Sequence, residues 1–263
     1  MSAGPLAGRR IVVTRPRAQA ATLAARIREA GGEALVFPAL EIRDLEDLKP
    51  FLALADRLEE FDLAIFISPN AVHKAMDLLR ARRGAKPWPA RLRVAAIGRR
   101  SRRELEQEGF SAVLAPLLRA DSEALLALPE LADVSGRRVV IFRGAGGREL
   151  LGDALAARGA GVEYADCYRR ARPDADAGPL LAAWARGAVD AVAVSSAEGL
   201  ANLSEMLGKP GREWLKKTPL LVPHARVAQA AARLGVGARE VIVAGPGDAE
   251  IVAGLVAYFG RAR

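Results

Sequence analysis

Short apolar runs alternate with helical segments along most of the chain. Residues 139–142 form an apolar run rich in β-branched side chains, which is typical of a strand buried on both faces of a parallel sheet. Between residues 148 and 157 the leucines and alanines fall on one face of a predicted helix, which Gly159 ends. A second strand then runs to Arg170. This stretch therefore predicts a β-α-β unit.

The same alternation of strands and helices continues on both sides of this unit. Further strands are predicted at 11–14, 34–37, 63–67, 93–97, 112–115, 191–194, 220–222 and 241–244. Further helices are predicted at 18–30, 48–59, 71–81, from about Ser101, and at 121–128, 178–186, 197–207, 227–234 and 248–259. Strands that alternate with helices favour an α/β fold with parallel sheets.

The pattern occurs twice in the chain. Positions that match at an offset of 128 include Ile11 with Val139, Arg15 with Arg143, Gly31 with Gly159, Leu40 with Tyr168, and Ser68 with Ser196. A period this long indicates a duplicated domain, because solenoid repeats are much shorter. The chain is thus predicted to be two copies of one α/β unit.

Composition narrows the class of protein. The chain has 263 residues, enough for one large domain or two modest ones. A single cysteine excludes a disulfide framework within one chain and fits a reducing cytosol, and one cysteine with two histidines predicts no metal site. The N-terminal residues lack the apolar core of a signal peptide, and no run approaches a membrane span. We therefore expect a cytoplasmic protein with no membrane partner.

The positive charge has two interpretations. The formal net charge is +8, and arginine supplies most of it. Nucleic-acid-binding proteins usually gather such charge in a stripe with aromatic residues between, whereas these arginines are scattered, so no nucleic-acid partner is expected. The excess is either a solvated surface or a means of attracting a small, multiply acidic substrate.

Common nucleotide and hydrolase motifs are incomplete. Residues 144–147 are glycine-rich and open a helix, but Glu149 stands where a dinucleotide fingerprint needs a third glycine. No Gly-Lys-Ser/Thr phosphate loop and no Gly-x-Ser-x-Gly elbow is present, and only His73 and His224 are available for a serine triad. We therefore expect no cofactor.

Polar residues at the predicted strand ends are the remaining candidates for ligand contacts. They are Arg15, Ser68, Ser101, Arg143, Ser196 and His224. In an open parallel sheet the carboxyl ends of the strands line the ligand crevice, close to helix N-termini that attract anions. Each residue also has a plain structural alternative: solvated strand ends for the arginines, helix caps for Ser68 and Ser196, and an ordinary surface position for His224.

Several segments together resemble one known family. They are Ile11–Pro16 (IVVTRP), Phe66–Val72 (FISPNAV), Ala96–Gly98 with Ser101, Phe142–Arg143–Gly144 through Arg148, and Tyr168–Arg169–Arg170. In this order they resemble the uroporphyrinogen-III synthase family, from about residue 9 to 259. The similarity rests on five or six weak motifs in sequence, since no single one is specific.

The resemblance implies two flavodoxin-like α/β domains joined by a two-stranded β connector. It also implies that the N-terminal strand and helix cross over to the C-terminal domain. One domain is then residues 1–37 with 172–263, the other 43–165, and the connectors are 38–42 and 166–171.

The implied activity is cyclisation of hydroxymethylbilane, a linear tetrapyrrole with eight carboxylates, with inversion of its last ring. The resemblance makes Tyr168 the candidate catalytic residue, helping the terminal hydroxyl to leave, although a connector aromatic packed between domains is an equal alternative. It also implies substrate contacts from Gly144 and Arg148, no cofactor or metal, and a monomer. Transfer of substrate from hydroxymethylbilane synthase is left open.

Two departures from the family pattern bear on these expectations. The family usually has threonine at Ser101, and serine or threonine near His224. Two other functions remain open on the sequence: a non-enzymatic two-lobed protein that binds an acidic ligand, and a family member that has lost activity and serves regulation.

Overall fold

The structure, a computed structural model, describes residues 4–147 and 149–261 and contains eleven strands and ten helices over these residues. The strands are β1 Arg10–Val13, β2 Glu33–Val36, β3 Glu41–Arg43, β4 Leu63–Phe66, β5 Arg93–Ala96, β6 Val113–Leu114, β7 Arg138–Gly144, β8 Gly161–Ala171, β9 Ala191–Ala193, β10 Leu220–Val222 and β11 Val241–Val243. The helices are α1 Arg17–Glu29, α2 Lys49–Asp56, α3 Pro69–Arg83, α4 Arg99–Gln107, α5 Ser122–Leu126, α6 Leu150–Ala157, α7 Gly178–Ala185, α8 Ala197–Leu215, α9 Ala225–Arg233 and α10 Asp248–Arg261.

The chain divides into two compact units. Unit 1 consists of Met1–Glu41 with Ala171–Arg263, and unit 2 is the continuous segment Ile42–Arg170. Each unit contains one sheet whose core strands pair in parallel, which confirms the predicted α/β class. Within the described residues no helix has the length and apolarity needed to cross a membrane.

The sheet of unit 1 has the order β11-β10-β9-β1-β2. Ile11 pairs with Ala34 of β2 on one side and with Ala191 of β9 on the other, both in parallel. Taken from the N-terminus, the strands of this unit follow the order 2-1-3-4-5, which is that of flavodoxin-like folds. The N-terminal strand and helix therefore belong with the C-terminal residues.

The sheet of unit 2 has the order β3-β8-β7-β4-β5-β6. Val139 of β7 pairs with Leu63 of β4 and with Val162 of β8, again in parallel. When β7 and β8 are counted as the first two strands, unit 2 repeats the order 2-1-3-4-5, with β3 added at the edge. Each unit thus combines the first two strands of one sequence copy with the last three of the other.

Alternation along the central strands builds an apolar core on both faces of each sheet. In β1, Ile11 and Val13 pack on one face with α1 and α10, while Val12 packs on the other with α7 and α8. In β4, the first and third residues, Leu63 and Ile65, pack on one face, and the second and fourth residues pack on the other. Strands covered on both faces are expected to be continuously apolar, as this sequence is.

Most predicted elements differ from the structure by one to three residues at their ends, and the largest difference is in α8. The helix predicted at 197–207 continues to Leu215, with a break at Gly208, whose φ of +62° is a backbone conformation that glycine adopts without strain. Pro210 follows in the first turn of the continuation, where proline is tolerated. Residues 166–171, predicted as the end of a strand and as one half of a two-stranded connector, lie in the long strand β8, and β3 is its hydrogen-bonded neighbour.

Candidate functional site

In the order 2-1-3-4-5, the second strand lies on one side of the first strand and the later strands lie on the other side. The strand order therefore reverses between the first and third strands, and ligands of such sheets bind at the carboxyl ends of these two strands. In unit 1 those strands are β1 and β9, and in unit 2 they are β7 and β4. We call the residues at these carboxyl ends the unit-1 tip and the unit-2 tip. Arg15 and Ser196 lie at the unit-1 tip, and Arg143, Gly144 and Ser68 lie at the unit-2 tip.

Ser68 and Ser196 are helix caps. The Oγ of Ser68 accepts the N–H of Ala71 at 3.0 Å, and the Oγ of Ser196 accepts the N–H of Gly199 at the same distance. Both serines have extended backbones, as residues that cap a helix N-terminus normally do. Both serines therefore have the helix-capping role that the sequence offered as the alternative to ligand binding.

At the unit-2 tip the capping serine has a tyrosine beside it. The Oγ of Ser68 is 3.1 Å from the hydroxyl oxygen of Tyr168, and either atom can donate. The ring of Tyr168 packs over Gly144, where a Cβ would lie 2.6 Å from Cε2 of the ring. Tyr168 is 2% exposed and belongs to an apolar cluster of unit 2. The glycine at the end of β7 thus makes the space in which the tyrosine lies.

A β-bulge directs Tyr168 to this position. The register between β7 and β8 shifts after Arg143, so that Arg143 is opposite Asp166 while Gly144 is opposite Tyr168. Cys167 is the extra residue, and Cys167 and Tyr168 both pack into the same cluster although they are adjacent in a strand. Bulges turn side chains away from simple alternation and are common beside active sites. Burial raises the pKa of the Cys167 thiol, whose Sγ donates to the carbonyl of Arg143.

Arg143 is held in place on three sides. Its Nε donates to Asp166 Oδ1 at 2.9 Å, its guanidinium lies 3.7 Å above the ring of Tyr164, and its Nη1 donates weakly to the carbonyl of Gly147. Desolvation raises the pKa of Tyr164, whose hydroxyl donates to the carbonyl of Glu149. A guanidinium over an aromatic face gains cation–π attraction in addition to its ion pair.

Arg15 is more deeply buried than Arg143. Its side chain is 5% exposed and forms an ion pair with Asp248, the first residue of α10. Its Nη2 also donates to the carbonyl of Pro246 at 3.4 Å. The two strand-tip arginines are equivalent in sequence, but each takes its carboxylate partner from a different element.

The remaining predicted residues have other positions. Ser101 is buried in the first turn of α4, and His224 occupies the N-cap position of α9. Arg148 lies outside the described residues. Gly98, which precedes α4, packs so closely that a Cβ would lie 2.4 Å from that of Ala120.

Sequence reasoning missed Asp166, Asp248 and Tyr164. The signal for Asp166 and Tyr164 was present, because residues two apart in a strand share one face and Asp166 is opposite Arg143 in the register. Asp248 had no comparable signal, since its contact with Arg15 spans almost the whole chain. Within the described residues, no group of three or more His, Cys, Asp or Glu side chains is arranged to hold a metal ion.

Comparison with known proteins gives a consistent result. Residues 21–244 match the family model described as uroporphyrinogen-III synthase HemD. The uroporphyrinogen-III synthase of Salmonella typhimurium is 38% identical over 229 residues, covering 86% of this chain and 91% of the relative, and that of Escherichia coli K12 is 37% identical over 226 residues with the same coverage.

Solved structures show the same fold at lower sequence identity. A mutant uroporphyrinogen III synthase from the extremely thermophilic bacterium Thermus thermophilus aligns with a TM-score of 0.66 and 22% identity, covering 97% of this chain and all of that one. The enzyme of Helicobacter pylori aligns with a TM-score of 0.56 and 13% identity over 95% and 99% of the two chains.

Proposed function

This chain belongs to the uroporphyrinogen-III synthase family, and we propose that it cyclises hydroxymethylbilane to uroporphyrinogen III in tetrapyrrole biosynthesis. The observation that carries this function is the family match across most of the chain, together with relatives of the same name at 37–38% identity. None of the similar proteins described above favours the alternative of a non-enzymatic protein that binds an acidic ligand.

The reaction begins with loss of the terminal hydroxyl. The C–O bond breaks with both electrons going to oxygen, which takes up a proton and leaves as water, while the electron pair of the pyrrole nitrogen stabilises the carbon as an azafulvene. The substituted position of the far ring attacks this carbon, and the resulting spiro intermediate fragments and recloses with the last ring inverted. A ring carbon releases one proton as the macrocycle closes, so protons balance.

Selection of the right substrate conformation is the enzyme's main task. The same substrate closes without inversion when unassisted, so the protein has to favour one geometry of attack over another. Such catalysis depends on positioning and on binding that is stronger in the transition state. Strand tips and helix N-termini supply many N–H and hydroxyl donors suited to a substrate with several carboxylates.

In this proposal Tyr168 donates a hydrogen bond or a proton to the leaving hydroxyl. Its hydroxyl belongs to a polar pair with Ser68 at the carboxyl end of the sheet, and the ring is fixed over Gly144. With 2% of the residue exposed, the substrate reaches this hydroxyl only when neighbouring segments move.

Arg15 and Arg143 are proposed to bind substrate carboxylates. Each guanidinium already holds a carboxylate, from Asp248 or Asp166. A guanidinium has five N–H donors, so a substrate carboxylate can bind beside the aspartate and leave neither buried charge unpaired. Gly144, Ser101, Arg148, Ser196 and His224 are retained as further proposed contacts.

The setting of the reaction is also proposed from the family. A cytoplasmic monomer that receives hydroxymethylbilane from its synthase agrees with the instability of a substrate that cyclises unaided. The domain bounds remain those proposed from the sequence: 1–37 with 172–263 for one domain, 43–165 for the other, and 38–42 and 166–171 for the connectors.

Product analysis tests the function directly. The purified protein is incubated with enzymatically generated hydroxymethylbilane, and the product isomers are separated. Predominance of the inverted isomer is expected, with the uninverted isomer prevailing in a reaction without protein. Equal isomer ratios with and without the protein would contradict the function and would favour a regulatory family member.

A further inference from the structure

The pair formed by Ser68 and Tyr168 carries an inference beyond the roles assigned above. Ser68 was predicted to bind substrate, yet its hydroxyl is occupied on two sides within unit 2. It accepts the N–H of Ala71 at 3.0 Å, and it lies 3.1 Å from the hydroxyl of Tyr168. A serine hydroxyl has one hydrogen and two lone pairs, so after the cap is made one hydrogen and one lone pair remain.

The direction of the bond between the two hydroxyls decides what Tyr168 can do. If Tyr168 donates to Ser68, the phenolic hydrogen is used within the protein and is not available to a leaving group. If Ser68 donates to the phenolic oxygen, the hydrogen of Tyr168 is free to point elsewhere. Only the second arrangement agrees with the donor role proposed for Tyr168.

We propose that Ser68 is a positioning residue, whose hydroxyl donates to Tyr168 and thereby directs the phenolic hydrogen toward the leaving hydroxyl of the substrate. This inference rests on the proposed function. The Ala71 N–H, Ser68 and Tyr168 then form a chain of donors that all point the same way, starting at the N-terminus of α3. Such chains strengthen each member, and the positive end of the helix favours negative charge on the acceptors.

The fixed surroundings of Tyr168 support this role. Gly144 and the bulge at Cys167 determine where the ring lies, but they leave rotation of the phenolic O–H open. Ser68 is a hydrogen-bonding partner of that hydroxyl, and its own position is set by the cap of α3. The unit-1 tip has the same capping serine, Ser196, but a leucine in place of the tyrosine, so the cap alone does not require such a pair.

A four-protein cycle tests the inference: the parent, Ser68→Ala, Tyr168→Phe and the double variant, each assayed for kcat and for isomer ratio. Ser68→Ala is expected to lower kcat about fivefold, as for the loss of one hydrogen bond, and to raise the share of the uninverted isomer. In the Tyr168→Phe background the same change is expected to alter kcat less than about twofold, because the hydroxyl it acts on is absent. Ser68→Thr keeps a hydroxyl at this position and is expected to retain most of the parent's kcat, in contrast to Ser68→Ala.

Ser196→Ala is the control for the stability lost with a helix cap, and only its melting temperature is compared, since Ser196 is itself a proposed substrate contact. Loss of either cap is expected to lower the melting temperature by about 2–4 °C. A purely structural role for Ser68 would give the same loss of kcat in both tyrosine backgrounds with an unchanged isomer ratio, and that result would overturn the inference.

The cycle separates this inference from the proposed function. Should the parent fail to produce the inverted isomer, the function itself is wrong. If Tyr168→Phe is fully active, the catalytic role of Tyr168 is wrong and the positioning role of Ser68 falls with it. If Tyr168→Phe is slow while Ser68→Ala is silent or strictly additive, only the positioning role is wrong.

Discussion

The unit-1 and unit-2 tips begin from the same sequence pattern and differ in one polar group. Both have an arginine after a buried strand, paired with a carboxylate, and both have a serine that caps the following helix. Only the unit-2 tip adds a tyrosine hydroxyl, and the position equivalent to Tyr168 in unit 1 is the buried Leu40. The shared features thus suit a common scaffold for binding anions, and the added hydroxyl marks the tip where we expect the reacting centre.

The comparison also shows how a duplicated scaffold admits a new group. The tyrosine needs a glycine beneath its ring and a bulge that turns it, and unit 2 has both at Gly144 and Cys167. The residue equivalent to Gly144 in unit 1 is Pro16, at the start of α1. A tyrosine at the unit-1 tip would therefore require further substitutions to be accommodated.

The largest expected effect comes from closing the space under the tyrosine. Gly144→Ala places a Cβ 2.6 Å from the ring of Tyr168 and displaces it, which should lower kcat about a hundredfold and stability by about 1–3 kcal/mol. Steady-state kinetics and thermal unfolding measure both. Gly161→Ala is the control, because its Cβ would meet nothing closer than 4.0 Å in the same sheet. Near-parental activity in Gly144→Ala would contradict the placement of the ring.

Removal of the phenolic hydroxyl is expected to have the next largest effect. Tyr168→Phe keeps the ring but loses a hydrogen bond made mainly in the transition state, worth on the order of 2 kcal/mol, or about tenfold to a hundredfold in rate. The uninverted isomer should increase because the unassisted route competes. Tyr258→Phe, in unit 1, is the matched control. Full activity with an unchanged isomer ratio would mean that Tyr168 only packs the core.

Substitution of the two arginines is expected to weaken substrate binding equally but to lower stability by different amounts. Arg15→Ala and Arg143→Ala should each raise KM about tenfold through loss of a charged hydrogen bond to the substrate. Arg15→Ala should also cost about 3 kcal/mol of stability, against roughly 1 kcal/mol for Arg143→Ala, because Asp248 is left more buried than Asp166. Kinetics and urea unfolding measure the two quantities. An unchanged KM in both variants would return these residues to a structural role.

The smallest effects are expected from the two capping serines. Ser68→Ala and Ser196→Ala each remove one cap of the same geometry, worth about 1 kcal/mol of the free energy of unfolding. Ser68→Ala also removes the bond to the buried Tyr168 hydroxyl, so its loss should be larger by about 1 kcal/mol. Urea unfolding of both variants under one condition measures the difference, and equal losses would mean that the bond to Tyr168 does not stabilise unit 2.

Much of the fold followed from local patterns. The apolar runs identified most strands because parallel strands are covered on both faces, and β4 and β7 are buried along nearly their whole length. The duplication aligned equivalent strands across the chain. The family resemblance, rather than the residues alone, supplied the crossover by which β1 pairs with β9.

The site was less accessible to sequence reasoning. Strand ends could be located, so Arg15, Ser68 and Arg143 were singled out, but ion pairs between distant elements follow no sequence spacing. The contact of Arg15 with Asp248 is of this kind. The bulge at Cys167 was also hidden, because one extra residue in a strand breaks the two-residue alternation that makes strands recognisable.

The interleaving of the two copies has a consequence for how the protein is made on the ribosome. Arg10 at the start of β1 bonds to Asp190, 180 residues later. At about 5–20 residues per second the first strand waits on the order of 10–40 s for its partner. Unit 2 ends at Arg170, so its last residue is made roughly 1–4 s before Asp190. Its first strand, β3, is hydrogen-bonded to its last strand, β8. Because this pairing ties the beginning of unit 2 to its last strand, folding of unit 2 shortens the effective loop that must close for β1 to reach β9. Strand β2 can cover one edge of β1 early, but the edge of Ile11–Val13 that faces β9 stays open for this time, so we expect the nascent chain to be vulnerable to aggregation there.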